Sequence, residues 1–158
     1  MEKLEFTLAE IDNVSEWLLS RAATFHGGEV KLSQMATTVA LSGDLGSGKT
    51  TLIQAVGRLF DIKAVIQSPT FVLIRSYEIP VGKWPWRKLI HIDCYRLNSD
   101  QDLLKLGWPE LIADAHNLIM LEWPERVEGI LPLNTLNLKL EIFSDGKRMV
   151  STRATTHR

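Results

Sequence analysis

The sequence lacks the features that mark several specialised classes of protein. Its 158 residues include one cysteine, Cys94, which excludes an internal disulfide framework and a zinc site built from cysteines alone. No apolar run approaches the ~18 residues of a membrane-spanning helix. The first residues, Met-Glu-Lys-Leu-Glu-Phe-Thr, are acidic where a signal peptide is basic and then apolar. We therefore expect a soluble, cytoplasmic protein without a membrane partner.

An excess of basic residues is also missing. Lys and Arg number 18 against 19 Asp and Glu, which gives a formal net charge of −1 and an isoelectric point near 6.4. Domains that hold nucleic acid without help carry clustered positive charge, so we expect no DNA partner and little or no affinity for RNA. The length predicts a single domain over residues 1–158. Within it, residues 151–158 are expected to form a frayed polar tail.

Segments of helical and strand pattern alternate along the chain. Apolar residues at helical spacing predict helices over residues 12–25, 49–60, 99–106, 109–114 and 125–131. Apolar or alternating runs predict strands over residues 37–42, 71–77, 89–93, 118–122, 136–143 and 148–152. The alternation predicts an α/β fold, in which helices flank a mainly parallel sheet with added antiparallel strands.

The most specific motif is a complete G-x-x-x-x-G-K-[ST] match, Gly43-Asp-Leu-Gly-Ser-Gly-Lys49-Thr50. It begins at the end of a predicted strand and opens a predicted helix, which is the context that a phosphate-binding loop requires. Glycines allow backbone N–H groups to turn inward around an anion, and the helix N-terminus adds the positive end of its dipole. Lys49 would place its charge on the β- and γ-phosphates, and Thr50 would offer its hydroxyl to Mg²⁺. The motif predicts a nucleotide site in a P-loop NTPase-like fold.

Two carboxylates close predicted buried strands, Asp93 after Leu89-Ile-His-Ile and Glu122 after Leu118-Ile-Met-Leu. Ligands of an open parallel sheet gather at the carboxyl ends of its strands, so both acids could face the phosphates. One could hold the metal, directly or through water, while the other orients the attacking water. The sequence does not divide these roles, and the alternative for either acid is a surface carboxylate that caps the next loop.

A third candidate element is Ser68-Pro69-Thr70-Phe71, which precedes a predicted strand. Thr70 resembles the switch threonine that senses the γ-phosphate in GTPases, and the alternative is a plain proline turn entering the strand. GTPases read guanine with an Asn-Lys-x-Asp loop. Because this sequence contains no such tetrapeptide, ATP is favoured over GTP.

Four segments taken together resemble one known family. In chain order they are Gly43-Asp-Leu-Gly-Ser-Gly-Lys-Thr-Thr51, Ser68-Pro-Thr-Phe71, His91-Ile-Asp-Cys-Tyr-Arg-Leu97 and Leu121-Glu-Trp-Pro-Glu125. They make the chain similar, over its whole length, to the bacterial TsaE (YjeE) ATPases of tRNA threonylcarbamoyladenosine biosynthesis. The resemblance implies binding of ATP and Mg²⁺ and slow ATP hydrolysis. It also implies action with the partner proteins TsaD and TsaB, which would bring the tRNA substrate.

The resemblance further implies roles for individual residues. The phosphate-binding positions would be Gly43, Asp44, Leu45, Gly46, Ser47, Gly48, Lys49, Thr50 and Thr51. Mg²⁺ would be held by Thr50 and Glu122, while Asp93 would support hydrolysis. Because Asp93 closes a predicted strand, it is also a candidate metal ligand. Thr70 would act as a switch and, with Lys49, Asp93 and Glu122, would complete the catalytic set.

Two other functions stay open from the sequence. A small-molecule kinase shares the phosphate loop but needs a mobile, arginine-bearing lid, and the only basic insertion, Lys83–Lys88, is short and aromatic. A non-catalytic nucleotide switch would use Thr70 to report that ATP is bound, with hydrolysis incidental.

Four further side chains have an interpretation from the sequence. Cys94 is interpreted as a small core residue. The pair Trp84 and Trp86, next to basic residues, is interpreted as a hairpin tip or partner surface in preference to an RNA patch. Trp123 follows Glu122 directly and either stacks in the site or packs in the core.

Overall fold

The computed structural model describes residues 1–24 and 34–153. The strands are β1 (Lys3–Phe6), β2 (Thr37–Ser42), β3 (Ile74–Glu78), β4 (Lys88–Asp93), β5 (Asn117–Glu122), β6 (Leu136–Ile142) and β7 (Arg148–Arg153). The helices are α1 (Ile11–Thr24), α2 (Lys49–Leu59), α3 (Asp100–Leu104) and α4 (Trp108–Ala113), with 3-10 turns at Leu8–Glu10, Pro124–Arg126 and Glu128–Ile130. Among the helices of these two ranges, none has the length and apolar character that crossing a bilayer would require.

The strands form one sheet in the order β1-β7-β6-β2-β5-β4-β3. The central strands β6, β2, β5 and β4 run parallel, while β3 extends one edge and β7 and β1 the other in antiparallel fashion. One apolar cluster packs α1 and α2 against one face, and a second packs α3 and α4 against the opposite face. The predicted α/β class is confirmed, with the antiparallel strands confined to the two edges.

The alternation of side chains on β5 explains why the central strands fit between two helical layers. Leu118 and Met120 lie in the cluster beneath α1 and α2, whereas Ile119 and Leu121 lie in the cluster beneath α3 and α4. Successive side chains of a strand point to opposite faces, so a continuous apolar run is buried on both. Every residue of β5 is buried, including Glu122 at its end.

The strand predicted over residues 71–77 begins later than its apolar pattern indicates. Residues 70–73 form a turn, and β3 starts at Ile74. Phe71 and Val72 are exposed, Leu73 adopts a φ of 71°, and the N–H of Asp93 donates to the carbonyl oxygen of Leu73 at 3.0 Å. The contact with the end of β4 holds the segment in a turn, and this tertiary contact overrides the strand propensity of its residues.

The two ends of the chain also differ from the sequence-based expectation. No strand is predicted at residues 3–6, where β1 pairs with β7 from Lys3 opposite Ser151 to Phe6 opposite Arg148. Only Phe6 of this strand is fully buried, so the apolar signal is weak. The predicted frayed tail is wrong for residues 151–153, because they pair with β6 as far as Arg153 opposite Asn137.

One predicted helix differs in type from the observed structure, and two predicted segments lie outside the described residues. The helix predicted over residues 125–131 is a pair of 3-10 turns that flank the buried Val127. The predicted last residue of the first helix, Phe25, and the tail residues 154–158 lie outside the described residues.

The loop between β3 and β4 carries a core tryptophan. Trp86 is 1% exposed, and its Nε1 donates to the Oγ1 of Thr37 at 2.8 Å. Phe60 packs on the Trp86 ring edge-on, and the half-buried Trp84 stacks on it with 5.9 Å between ring centroids. The hairpin position is confirmed, because residues 79–87 join the antiparallel strands β3 and β4. The surface interpretation is wrong for Trp86, because the loop folds back onto the core beside the end of α2.

Candidate functional site

The carboxyl ends of three neighbouring strands meet at one edge of the sheet. β2 leads into the glycine loop, β4 ends at Asp93 and β5 ends at Glu122. In the strand register, Asp93 lies opposite Glu122, which on its other side lies opposite Leu41 of β2. The order β2-β5-β4 thus brings both predicted acids to the edge where the loop begins, as expected for an open parallel sheet.

Two glycines of the loop hold backbone that other residues would adopt only with strain. Gly43 has a φ of 145°, and a Cβ at this position would collide with the carbonyl oxygen of Leu140 on β6. Gly48 has a φ of 103° and is the N-cap of α2, with no capping side-chain hydrogen bond. The N–H groups of the first turn are therefore left available to an anion. Between the two glycines, Asp44, Leu45 and Gly46 form an exposed tip and Ser47 is buried.

Lys49 is a buried cation at the start of α2, only 5% exposed. Its Nζ donates to the carbonyl oxygens of Gly43 at 2.5 Å and Asp44 at 3.0 Å, and lies 4.2 Å from the ring centroid of Trp123. Burial lowers the pKa of Lys49, while the nearby carboxylates, Glu122 first among them, oppose that shift. The ammonium is held by neutral oxygens and an aromatic face, which a phosphate oxygen would replace with a stronger, charge-assisted contact.

Thr50 and Glu122 join the first turn of α2 to the end of β5. The Thr50 hydroxyl donates to Glu122 Oε1 at 2.6 Å, and Glu122 is 3% exposed. His91, fully buried on β4, contacts the same oxygen through Nε2 at 3.2 Å. No role is predicted for His91 alone from the sequence, and the available signal is a polar residue inside the apolar run of β4.

Asp93 anchors the Ser68–Phe71 segment. Its Oδ2 accepts hydrogen bonds from Thr70 Oγ1 at 2.9 Å and from Ser68 Oγ at 3.3 Å, while its Oδ1 accepts from the backbone N–H of Tyr95 at 2.9 Å. Asp93 is 4% exposed, so these donors satisfy a buried carboxylate. The predicted switch threonine is thus brought into direct contact with one of the two strand-end acids.

Thr50 and Glu122 together fit a small divalent cation. Hydroxyl and carboxylate oxygens are hard donors, and neighbouring ligands of octahedral Mg²⁺ lie about 3 Å apart, close to the 2.6 Å between Thr50 Oγ1 and Glu122 Oε1. Within residues 1–24 and 34–153, no group of three or more His, Cys, Asp or Glu side chains is placed to hold a metal. Mg²⁺ is commonly held by one or two protein ligands, waters and substrate phosphates, so these donors suit an ion that arrives with a nucleotide.

Trp123 contacts the site and also packs against the apolar cluster beneath α3 and α4. It follows β5 directly in the left-handed region, with a φ of 59°, and its ring contacts the Lys49 ammonium and, at a tilt of 54°, the ring of Tyr95, whose centroid is 5.0 Å away. Strained backbone of this kind persists where surrounding contacts fix it, commonly at functional sites. A cleft of about 330 Å³ lies beside Trp123, lined by Gly43 and Asp44 of the loop and by Thr135.

The basic insertion considered as a kinase lid lies away from this site. Residues 83–87 lie before β4 and Lys88 is its first residue, whereas Asp93 is its last residue. The five steps from Lys88 to Asp93 span roughly 16 Å at the rise of a strand. Arg96 is nearer the site, but its guanidinium lies over the exposed ring of Phe71, 4.5 Å from the centroid. Neither group covers the loop in this conformation.

Comparison with known proteins gives a consistent result. A family model described as "Threonylcarbamoyl adenosine biosynthesis protein TsaE" matches residues 15–150. Proteins named tRNA threonylcarbamoyladenosine biosynthesis protein TsaE are similar to the chain. The one from Rickettsia bellii is 35% identical over 112 residues, 70% of this chain and 73% of the relative. The one from Treponema pallidum is 32% identical over 121 residues, 77% of this chain and 84% of the relative.

A solved structure shares the fold. The crystal structure of YdiB from Bacillus subtilis matches with a TM-score of 0.63, covering 98% of this chain and 87% of that chain. The sequences are 21% identical, so the likeness concerns the arrangement of helices and strands.

Proposed function

The chain belongs to the TsaE family of threonylcarbamoyladenosine biosynthesis proteins, and from this we propose that it binds ATP with Mg²⁺ and hydrolyses it slowly. In this proposal the hydrolysis serves the threonylcarbamoyladenosine modification of tRNA, together with partner proteins of the TsaD and TsaB type. The nucleotide would lie on Gly43–Thr51, at the edge where β2, β4 and β5 end.

The observation that carries the proposal is the hydrogen bond from Thr50 to Glu122 at the mouth of the glycine loop. The Thr50 hydroxyl and the buried Glu122 carboxylate, 2.6 Å apart, together supply the two protein oxygens that a nucleotide-bound Mg²⁺ needs. Beside them, the uncapped first turn of α2 and the Lys49 ammonium supply positive charge for phosphates. A purely structural glycine turn would require neither the buried acid nor the buried lysine.

The proposed reaction is in-line attack of water on the γ-phosphate. Lys49 would leave the carbonyls of Gly43 and Asp44 and stabilise charge on the transferring phosphoryl group. Mg²⁺ bound with the phosphates would neutralise charge on the β- and γ-oxygens. Asp93 would orient the water, and Thr70, which donates to Asp93 at 2.9 Å, would move towards the γ-phosphate when ATP binds.

Dependence on protein partners is part of the proposal. The net charge of −1 does not favour unaided binding of tRNA, so the tRNA would be held by another chain. We expect weak ATPase activity from the isolated protein and stimulation by its partners. A high turnover by the protein alone would contradict this part of the proposal.

The test compares the wild-type protein with Lys49→Ala and with Lys63→Ala as the matched control. The Lys63 side chain is 84% exposed and pairs with Asp61, beyond the end of α2. We expect Lys49→Ala to lose most ATP binding, measured with a fluorescent ATP analogue, while Lys63→Ala keeps it. Reconstitution with tRNA, threonine, bicarbonate, ATP and the remaining proteins of the pathway, including the enzyme that activates threonine and bicarbonate, should then require the wild-type chain and fail with Lys49→Ala. Full modification with Lys49→Ala would overturn the proposal.

A non-catalytic switch is the second candidate, and the contact between Thr70 and Asp93 favours it. That bond links a segment at the loop mouth to a buried acid, so ATP binding could be signalled without hydrolysis. Asp93→Asn separates the two candidates when ATP binding is retained, because asparagine keeps an oxygen that can accept from Thr70 but lacks the carboxylate that would orient the water. Loss of tRNA modification would support the ATPase, whereas full modification would support the switch.

A further inference from the structure

Arg148 lies against the last glycine of the phosphate-binding loop. It is the first residue of β7 and pairs with Phe6 on one side and with Ile142 on the other. Residues opposite one another share a face of the sheet, and Phe6 belongs to the core beneath α1 and α2. Arg148 therefore points to the α2 face. Its Nη1 and Nε lie 3.7 and 3.9 Å from the position that a Cβ on Gly48 would occupy.

The guanidinium of Arg148 is incompletely satisfied. Its Nε and Nη1 are buried and have no hydrogen-bond partner among residues 1–24 and 34–153. Arg148 as a whole is partly buried, but donors that are removed from water without gaining an acceptor are costly. By contrast, Arg58 pairs with Asp12, and Lys49, the buried cation at the loop, already contacts two carbonyl oxygens.

We propose that Arg148 binds the phosphate chain of the nucleotide from the β6–β7 side of the loop. This inference rests on the proposed function, because the nucleotide is the anion expected at Gly48. A phosphate oxygen within reach of Nε or Nη1 would supply the missing acceptor, and arginine suits phosphate because its planar fork presents several donors. Lys49 and Arg148 would then hold the anion from two different elements, α2 and β7.

The first test replaces Arg148 with methionine, which keeps much of the side-chain volume and removes the charge. Kd for a fluorescent ATP analogue should rise about 10- to 100-fold, the usual cost of losing a charged hydrogen bond. The Tm of the nucleotide-free protein should not fall, because the variant removes two buried donors that have no acceptor among the described residues. A purely structural arginine would give the opposite pair of results, a lower Tm with an unchanged Kd.

The matched control is Lys3→Gln, which removes one exposed positive charge from the neighbouring strand β1. It should leave Kd for the ATP analogue unchanged and so exclude a general effect of net charge. Arg148→Lys retains the charge without the planar fork, and we expect it to recover part of the lost affinity. If Arg148→Met keeps the wild-type Kd for the ATP analogue, the guanidinium does not contact phosphate.

Inorganic tripolyphosphate identifies the part of the nucleotide that Arg148 contacts. The affinity of the wild-type protein for tripolyphosphate should fall in Arg148→Met by a factor similar to that for ATP. An unchanged tripolyphosphate affinity would overturn the inference. Failure of the proposed function looks different, since the wild-type protein itself would then bind neither ATP nor its analogue.

Discussion

Single residues at this site are charged and buried at the same time, and their partners explain how they are tolerated. Glu122 accepts from Thr50 and contacts His91, while Asp93 accepts from Thr70, Ser68 and the Tyr95 N–H. Each acid thereby has hydrogen-bond partners supplied by neighbouring elements. The two acids are thus fixed in place while their negative charge stays available to a cation that enters with the phosphates.

Glu122→Gln tests the metal-binding role at the residue scale. Glutamine keeps the shape and can still accept from Thr50, but it lacks the charge that Mg²⁺ needs. We expect the Mg²⁺ concentration for half-maximal ATP hydrolysis to rise by at least about tenfold, with metal-free nucleotide binding, measured in EDTA, unchanged. If the Mg²⁺ dependence of Glu122→Gln matched that of the wild type, Glu122 would not hold the metal.

Cys94 provides a second residue-scale prediction. The side chain is fully buried, and burial followed by the nearby carboxylates of Asp93, Glu125 and Glu122 raises the pKa of its thiol to about 12. At pH 8 only about one thiol in ten thousand would be the reactive thiolate, so native protein should react with Ellman's reagent far more slowly than denatured protein. The rate should increase as pH rises towards the pKa. Equal native and denatured rates would contradict the core assignment of Cys94.

At the scale of elements, α2 is the best predicted and most constrained part of the site. Its predicted span of residues 49–60 differs from the observed Lys49–Leu59 by one residue. The glycine loop predicts where α2 begins, and the 3.6-residue spacing of its apolar residues predicts which face is buried. The segment at residues 71–73 shows the opposite case, since Phe71 and Val72 are exposed and a contact with Asp93 decides its conformation.

Gly57→Ala tests how tightly α2 packs against the chain that follows it. In an exposed helix this change would stabilise by up to about 1 kcal/mol. Here a Cβ on Gly57 would collide with Cδ1 of the buried Ile66, and overpacking typically costs about 1–3 kcal/mol. We therefore expect the free energy of unfolding, measured by urea denaturation, to fall by about 1 kcal/mol.

The control for Gly57→Ala is the same change in an Ile66→Val background. Valine lacks the Cδ1 atom, so the alanine methyl group should fit and the destabilisation should largely disappear. A double-mutant cycle measures this coupling directly. Additive effects of the two substitutions would show that the contact does not limit the helix.

At the scale of the whole molecule, charge balance limits what the protein can bind alone. With 18 basic and 19 acidic residues, we expect tRNA affinity no tighter than non-specific binding, roughly 10⁻⁴ to 10⁻⁶ M at physiological salt. Filter binding of labelled tRNA over a range of salt concentrations measures this. Submicromolar affinity at physiological salt would show that the chain binds tRNA directly and would contradict this prediction.

The sequence by itself determined the class of fold and most of the candidate site. The glycine motif located the loop, and the ends of two apolar runs located Asp93 and Glu122. These features were readable because they depend on local order: glycine conformation, strand periodicity and the position of a residue at the end of its strand. The resemblance in four short segments pointed to the TsaE family, which the family match then established.

Only the tertiary structure decided which side chains meet. The contact of His91 with Glu122 spans 31 positions, that of Thr50 with Glu122 spans 72, and Arg148 reaches Gly48 from β7 at the far end of the chain. Such contacts depend on strand order and register, because a shift of one residue would turn every side chain of a strand to the other face. The same long-range packing buried Trp86 and extended β7 through residues 151–153, where local pattern indicated a surface and a frayed tail.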